Sequence, residues 1–237
     1  MAATIDDFKE LLRKGIRDLM ASDFEGIESS FWDVIEELID AGELDTGPDH
    51  KLGGRFLEAK VRSIFRRMGF SVDRGPAGLH DATIEPPEDV EPQKPLVIEV
   101  KSSRNTTPTR TDLRQLDDWV FELSGEERAR KHGLGGGPSG ESLASGGVIT
   151  PIRRHPSPHK GIMVFNGPVG VPFEKRPGIW LGANEKEFAE KRDFCITRFE
   201  ILLAWGEAVK GDPSQAAKLW KAMHACAGEL TEPGKET

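Results

Sequence analysis

One short run carries the strongest chemical signal in these 237 residues: Leu96-Val97-Ile98-Glu99-Val100-Lys101. It reads as a strand, and period-2 alternation puts Leu96, Ile98 and Val100 on one face and Val97, Glu99 and Lys101 on the other. A carboxylate and an ammonium then sit side by side on a strand otherwise apolar on both faces. Charge buried there is costly unless it is paired or bound to a metal. Taken alone, Glu-x-Lys also reads as a strand-end ion pair. Two more carboxylates shift the balance. Asp81 precedes Ala82-Thr83-Ile84, a second strand that can pair with the first across the Pro- and acid-rich connection 85–95. Glu58 lies at the edge of the apolar stripe of an amphipathic helix. Hard cations such as Mg²⁺ take oxygen ligands, commonly one or two carboxylates plus water and substrate phosphate. Asp81 and Glu99 can supply these, with the Val100 carbonyl as a third. Such a cation polarises a phosphoryl oxygen and acidifies water, and Lys101 beside it can orient that water or stabilise developing charge.

The elements that must position these residues are legible around them. The helix bearing Glu58 is expected from about Gly54 to Met68, with Leu57, Val61, Ile64 and Phe65 as its stripe and Gly69 as its end. Phe70-Ser71-Val72 starts a short strand. After Lys101 a helix is expected from about Asp112 to Leu123. Gly161 to Asn166 reads as a buried strand, Glu185 to Arg192 as a helix and Phe194-Cys195-Ile196 as a strand. Thr197-x-x-Glu200 has the form of a capping box opening a helix through Trp205. One more helix is expected over about 212–230. This order of helices and strands points to a mixed sheet flanked by helices.

Composition sets the bounds. The net charge of −8 is unevenly placed: residues 1–45 hold 13 acidic against 4 basic groups, and the remainder holds 28 basic against 27 acidic. Residues 1–48 read as an acidic segment of two amphipathic helices, 49–205 as the central unit, and 206–237 as a C-terminal helix and tail. Arginines and lysines cluster after residue 54 and again after Lys101, as a phosphate backbone would require, or as solvated faces would. No stretch is long and apolar enough to span a bilayer, and the first residues lack the form of a secretory signal. Cys195 and Cys226 read as reduced thiols, which points to a cytoplasmic protein rather than a zinc or disulfide framework. The Gly/Ser-rich stretch 132–147 contains Gly135-x-Gly137-x-x-Gly140, but without a preceding strand it does not read as a dinucleotide site. His155-x-x-x-His159 has ligand-like spacing, but Pro156 and Pro158 exclude the helix that would align both rings.

The charged set resembles the PD-(D/E)xK nuclease superfamily, whose fold is restriction-endonuclease-like. The resemblance covers roughly residues 51–205. It rests on Glu58 in Gly53-Gly54-Arg55-Phe56-Leu57-Glu58-Ala59-Lys60, Asp81 in Leu79-His80-Asp81-Ala82, and Glu99-Val100-Lys101. It implies an α/β fold with a mixed central sheet, Mg²⁺ dependence with Mn²⁺ able to substitute, and hydrolysis of DNA by an endonuclease of the restriction or anti-phage defence kind. It also implies metal binding by Asp81, Glu99 and the Val100 carbonyl, with Glu58 contributing through water. His80 stands where the family has Pro, and 17 residues separate Asp81 from Glu99, more than a tight hairpin needs. Gln115-x-x-x-Trp119 is similar to the QxxxY element of RecB-like members, with Trp in place of Tyr, which implies that Gln115 sits near Glu99 and Lys101 and contacts substrate or water; from the residues alone, Trp119 and Leu116 read rather as core and Gln115 as surface. Arg55, Arg62, Ser102, Ser103, Arg104, Arg110 and Arg114 offer hydroxyls and cations suited to phosphates. The superfamily implies a homodimer whose two centres cut two strands, and the N-terminal helices within residues 1–45, with the tail, are suited to docking a protein partner. The alternative is a module that keeps the fold and binds nucleic acid or protein without cleaving.

Overall fold

The computed structural model describes residues 52–75, 80–87, 89–131, 159–177 and 181–234. The expected helices before residue 48, the Gly-rich stretch 132–147 and His155 lie outside the described residues.

The first described helix, α1 (Gly54–Arg67), buries Phe56, Leu57, Val61, Ile64 and Phe65. Gly69 follows it with φ +89, a left-handed conformation that glycine adopts without steric cost, and so ends the helix where the sequence indicates. The chain then enters β1 (Ser71–Arg74), β2 (Ala82–Glu85) and β3 (Leu96–Ser102). These pair antiparallel in order, with Ala82 opposite Ile98. The long 85–95 connection lies at the far end of this hairpin from Asp81, so its length does not disturb the pairing.

From β3 onward the sheet is parallel. Helix α2 (Arg110–Lys131) crosses to β4 (Lys160–Asn166), α3 (Ala183–Arg192) to β5 (Cys195–Arg198), and the pair α4 (Phe199–Gly211) and α5 (Gln215–Ala225) to β6 (Gly228–Glu229). The six strands stand in sequence order, with β3 and β4 central. Two apolar layers fill the faces. One joins α1, α4 and α5 to Leu96, Ile98 and Val100; the other joins α2 and α3 to Val97, Met163 and Phe165. The alternation expected for β3 is thus the partition between the two layers.

Three local expectations differ. Helix α2 starts at Arg110, because Thr109 and Asp112 form the capping box: Asp112 Oδ2 accepts from Thr109 N–H, and Asp112 N–H donates to Thr109 Oγ1 at 3.3 Å. Thr197 caps nothing. It lies in β5, its hydroxyl donates to the Arg198 carbonyl, and Glu200 pairs with Arg176 and Arg198. The C-terminal helix stops at Ala225, and β6 follows it. The boundary at 205 falls inside α4, and the segment beyond it packs into the same core.

Two polar ties brace the ends of the sheet. Lys160, fully buried at the start of β4, donates to Asp193 Oδ1 and to the His224 and Cys226 carbonyls, each at 2.7 Å. At the other end, the Leu52 carbonyl accepts from Ser102 Oγ and Asn166 Nδ2, both at 2.9 Å.

Candidate active site

The antiparallel register sets Asp81 across from Glu99. Asp81 N–H donates to the Ile98 carbonyl at 3.1 Å, and Val100 N–H donates back to Asp81 Oδ2 at 2.6 Å. The aspartate is therefore fixed by the backbone of the strand that carries its partner. His80, buried just before it, is paired with Thr83 through Nε2 and Oγ1 at 2.9 Å. Glu99 and Lys101 share one face of β3, and Lys101 Nζ meets Glu99 Oε1 at 2.7 Å. Glu99 is 2 % exposed, and its Oε2 is buried without a hydrogen-bond partner. Lys101 also donates to Gln115 Oε1 on α2 at 3.0 Å, so the helix does reach the strand at this residue.

Glu58 comes from α1. Its carboxylate stands 3.9 Å from Arg62 one turn later, and Arg62 Nη1 also donates to the Asp81 carbonyl at 3.2 Å. Arg62 is thus an interior brace between α1 and the start of β2, 2 % exposed, and not a surface contact for phosphate. Ser102 Oγ is spent on Leu52, and Ser103 Oγ accepts from Asn105 N–H. Arg55 is half-buried near Glu58, while Arg104, Arg110 and Arg114 are exposed, Arg114 beside Gln115 and Trp119. Arg110 lies over the Phe188 ring at 5.7 Å.

The electrostatics show a site with more negative charge than it comfortably holds. Burial pushes the Asp81 carboxyl well above the usual range, and Glu58 and Glu99 push it further. Glu99 is raised by burial, with the Lys101 ammonium working against this. Glu58 is raised by burial, opposed by Arg62, Arg55 and Arg74. Burial acts to lower Lys101, but the Glu99 hydrogen bond and charge outweigh it and leave the ammonium more strongly held than usual.

The donor chemistry fits a hard divalent cation. Each of the two central carboxylates has one oxygen tied down, Asp81 Oδ2 on Val100 and Glu99 Oε1 on Lys101, and one left over. A buried carboxylate oxygen with no partner is costly until a cation or a proton meets it. Among the described residues no three His, Cys, Asp or Glu side chains already form a metal cage. Mg²⁺ commonly makes do with one or two carboxylates and completes its shell with water and substrate.

Trp119, which the sequence also allows as ordinary core at its i+4 spacing from Gln115, brings a polar atom to the site: its indole Nε1 is buried and unpartnered, and the indole opposes the upward push of burial on the Glu99 carboxyl. Sequence reasoning passed over Lys160, since nothing in a lone lysine before a strand foretells burial.

No protein-family model matches the chain, and no curated protein matches it. Among solved structures it is similar to the restriction endonuclease FokI, with a TM-score of 0.51 and 14 % identity, over 98 % of this chain and 35 % of that one. FokI bound to DNA gives a TM-score of 0.48 and 13 % identity, over 98 % and 34 % of the two chains. The chain spans about a third of the length of these proteins. Its mixed six-stranded sheet with helices on both faces is the restriction-endonuclease-like α/β fold.

Proposed function

We propose that this chain is a metal-dependent nuclease of the PD-(D/E)xK kind that hydrolyses DNA phosphodiester bonds, as an endonuclease of restriction or anti-phage defence. The observation that carries the reading is the convergence of Asp81, Glu99, Lys101 and Glu58 at one end of β3, where the three carboxyls act on one another. Asp81, Glu99 and the Val100 carbonyl would hold Mg²⁺ or Mn²⁺, with Glu58 reaching it through water. The cation would polarise a phosphoryl oxygen and acidify water in the site.

The chain's own groups supply the rest. Val100 N–H and Arg62 hold Asp81 in place, so its carboxylate presents a fixed edge. Lys101 has three donors; Glu99 and Gln115 take two, and the third remains for a phosphate oxygen or a water. Gln115 keeps that ammonium directed. Arg104, Arg110 and Arg114, all exposed and close in sequence to Lys101 and Gln115, suit the flanking phosphates. Nucleic acid as substrate is also supported by the restriction endonuclease that shares the fold. A homodimer would bring two such centres to two strands, and the acidic N-terminal segment suits a protein partner.

Plasmid and linear DNA incubated with Mg²⁺ or Mn²⁺ test the reading. The wild type nicks or cuts, and Lys101→Ala and Asp81→Ala lose about 100-fold or more. Intact DNA together with no calorimetric Mn²⁺ binding by the wild type overturns it.

A further inference from the structure

The Glu99–Lys101 pair is met from above by two residues of one helix. Gln115 Oε1 accepts from Lys101 Nζ. Trp119, one turn later, packs against the layer that contains Val97, Leu116 and Val120. Strand β3 and strand β4 are parallel, so the crossover helix α2 runs back along β3. The later strand residue therefore meets the earlier helix residue, and the earlier strand residue the later one. The spacings agree: four helical residues advance about 6 Å, and two strand residues about 6.6 Å. With Lys101 set against Gln115, Glu99 falls against Trp119. Two buried polar atoms on these residues lack a hydrogen-bond partner: Glu99 Oε2, an acceptor, and Trp119 Nε1, which can only donate.

We infer that α2 is a positioning helix that holds both halves of the charged pair, Gln115 directing the Lys101 ammonium and the Trp119 indole N–H directing the Glu99 carboxylate through Oε2. Trp119 is a positioning residue and touches neither substrate nor cation. The influence of the indole on the Glu99 carboxyl agrees with this contact. An aromatic donor is suited to the task. The ring fills the apolar layer and leaves few rotamers, while one N–H reaches the carboxylate without adding charge. What the orientation serves rests on the proposed nuclease reading; the orientation itself does not.

Indole-¹⁵N NMR of the full chain without metal provides the readout. The five tryptophans give five N–H resonances, and that of Trp119 is assigned by its loss in Trp119→Phe or Trp119→His. In Glu99→Gln it moves while the other four stay, an effect that simple packing of Trp119 would not produce. Calorimetric titration with Mn²⁺ follows. Trp119→Phe weakens binding by about 10-fold, the lower end of what outer partners of metal ligands contribute. Trp119→His restores it in large part, because the imidazole carries a ring nitrogen at the same bond separation from the backbone. An unmoved resonance in Glu99→Gln, or equal Mn²⁺ affinity in Trp119→Phe and wild type, overturns the positioning role and leaves the nuclease reading standing. A moved resonance in a wild type that neither binds Mn²⁺ nor cuts DNA upholds the positioning role and removes the nuclease reading.

Discussion

Asp81 shows what three converging carboxyls cost the fold. Its carboxyl is raised by burial and by the charges of Glu58 and Glu99, so the folded chain holds a proton there more tightly than the unfolded chain does. That preference adds stability below the ordinary carboxylate value, and the contribution is lost as pH rises through the raised folded value. In chelator, Asp81→Asn, which keeps an oxygen for Val100 N–H, is therefore more stable than wild type at pH 7, by about 1 kcal/mol. The gap closes toward about pH 4, where the wild-type carboxylate protonates in both states. Thermal melts at the two pH values check this. The residues of the centre were legible because charge on an apolar strand is conspicuous. Arg62 was misjudged for the same kind of reason: a basic residue in a basic cluster looks like surface, and its depth depends on where α1 lies against β2, which no local pattern reports.

Elements were recognised best where periodicity is long and worst where it is short. Helix α1 and strands β3 and β4 carry many apolar positions each, so their type and facing were plain. Strand β6 is two residues with Gly228 at φ +112, and such a strand exists only because β5 offers an edge to pair with. Two of the Thr-x-x-acid sequences, both among the described residues, behave oppositely. Thr109 and Asp112 cap α2, and Thr197 and Glu200 do not cap α4, because β5 claims the threonine and two arginines claim the glutamate. Thr109→Ala is expected to destabilise by about 1 kcal/mol. Thr197→Val costs less, as it removes one 3.2 Å bond to a carbonyl. Paired urea titrations rank the two.

At the scale of the molecule the sheet has two unlike ends. One gathers the buried carboxyls of Glu58, Asp81 and Glu99; the other gathers Lys94, Lys160 and His224. Burial, reinforced by the Lys160 and Lys94 charges, holds His224 down to about 4, so its ring stays neutral at neutral pH. The buried Lys160 ammonium gathers the end of α3, through Asp193, and the end of α5, through two carbonyls. Lys160→Met leaves those acceptors unmet and is expected to cost about 3 kcal/mol or more. The midpoint of denaturant unfolding measures it, and a loss within 1 kcal/mol would mean that water takes over the three acceptors. Among the described residues no helix is long and apolar enough to cross a membrane.

The Leu52 carbonyl is grasped by Ser102 and Asn166, the last residues of the two central strands. Leu52 lies two residues ahead of α1, and Ser102 is the immediate neighbour of Lys101. The helix that carries Glu58 and the strand that carries Glu99 and Lys101 thus share one anchor, and the spacing between the acid of the helix and the pair on the strand is set at that shared knot.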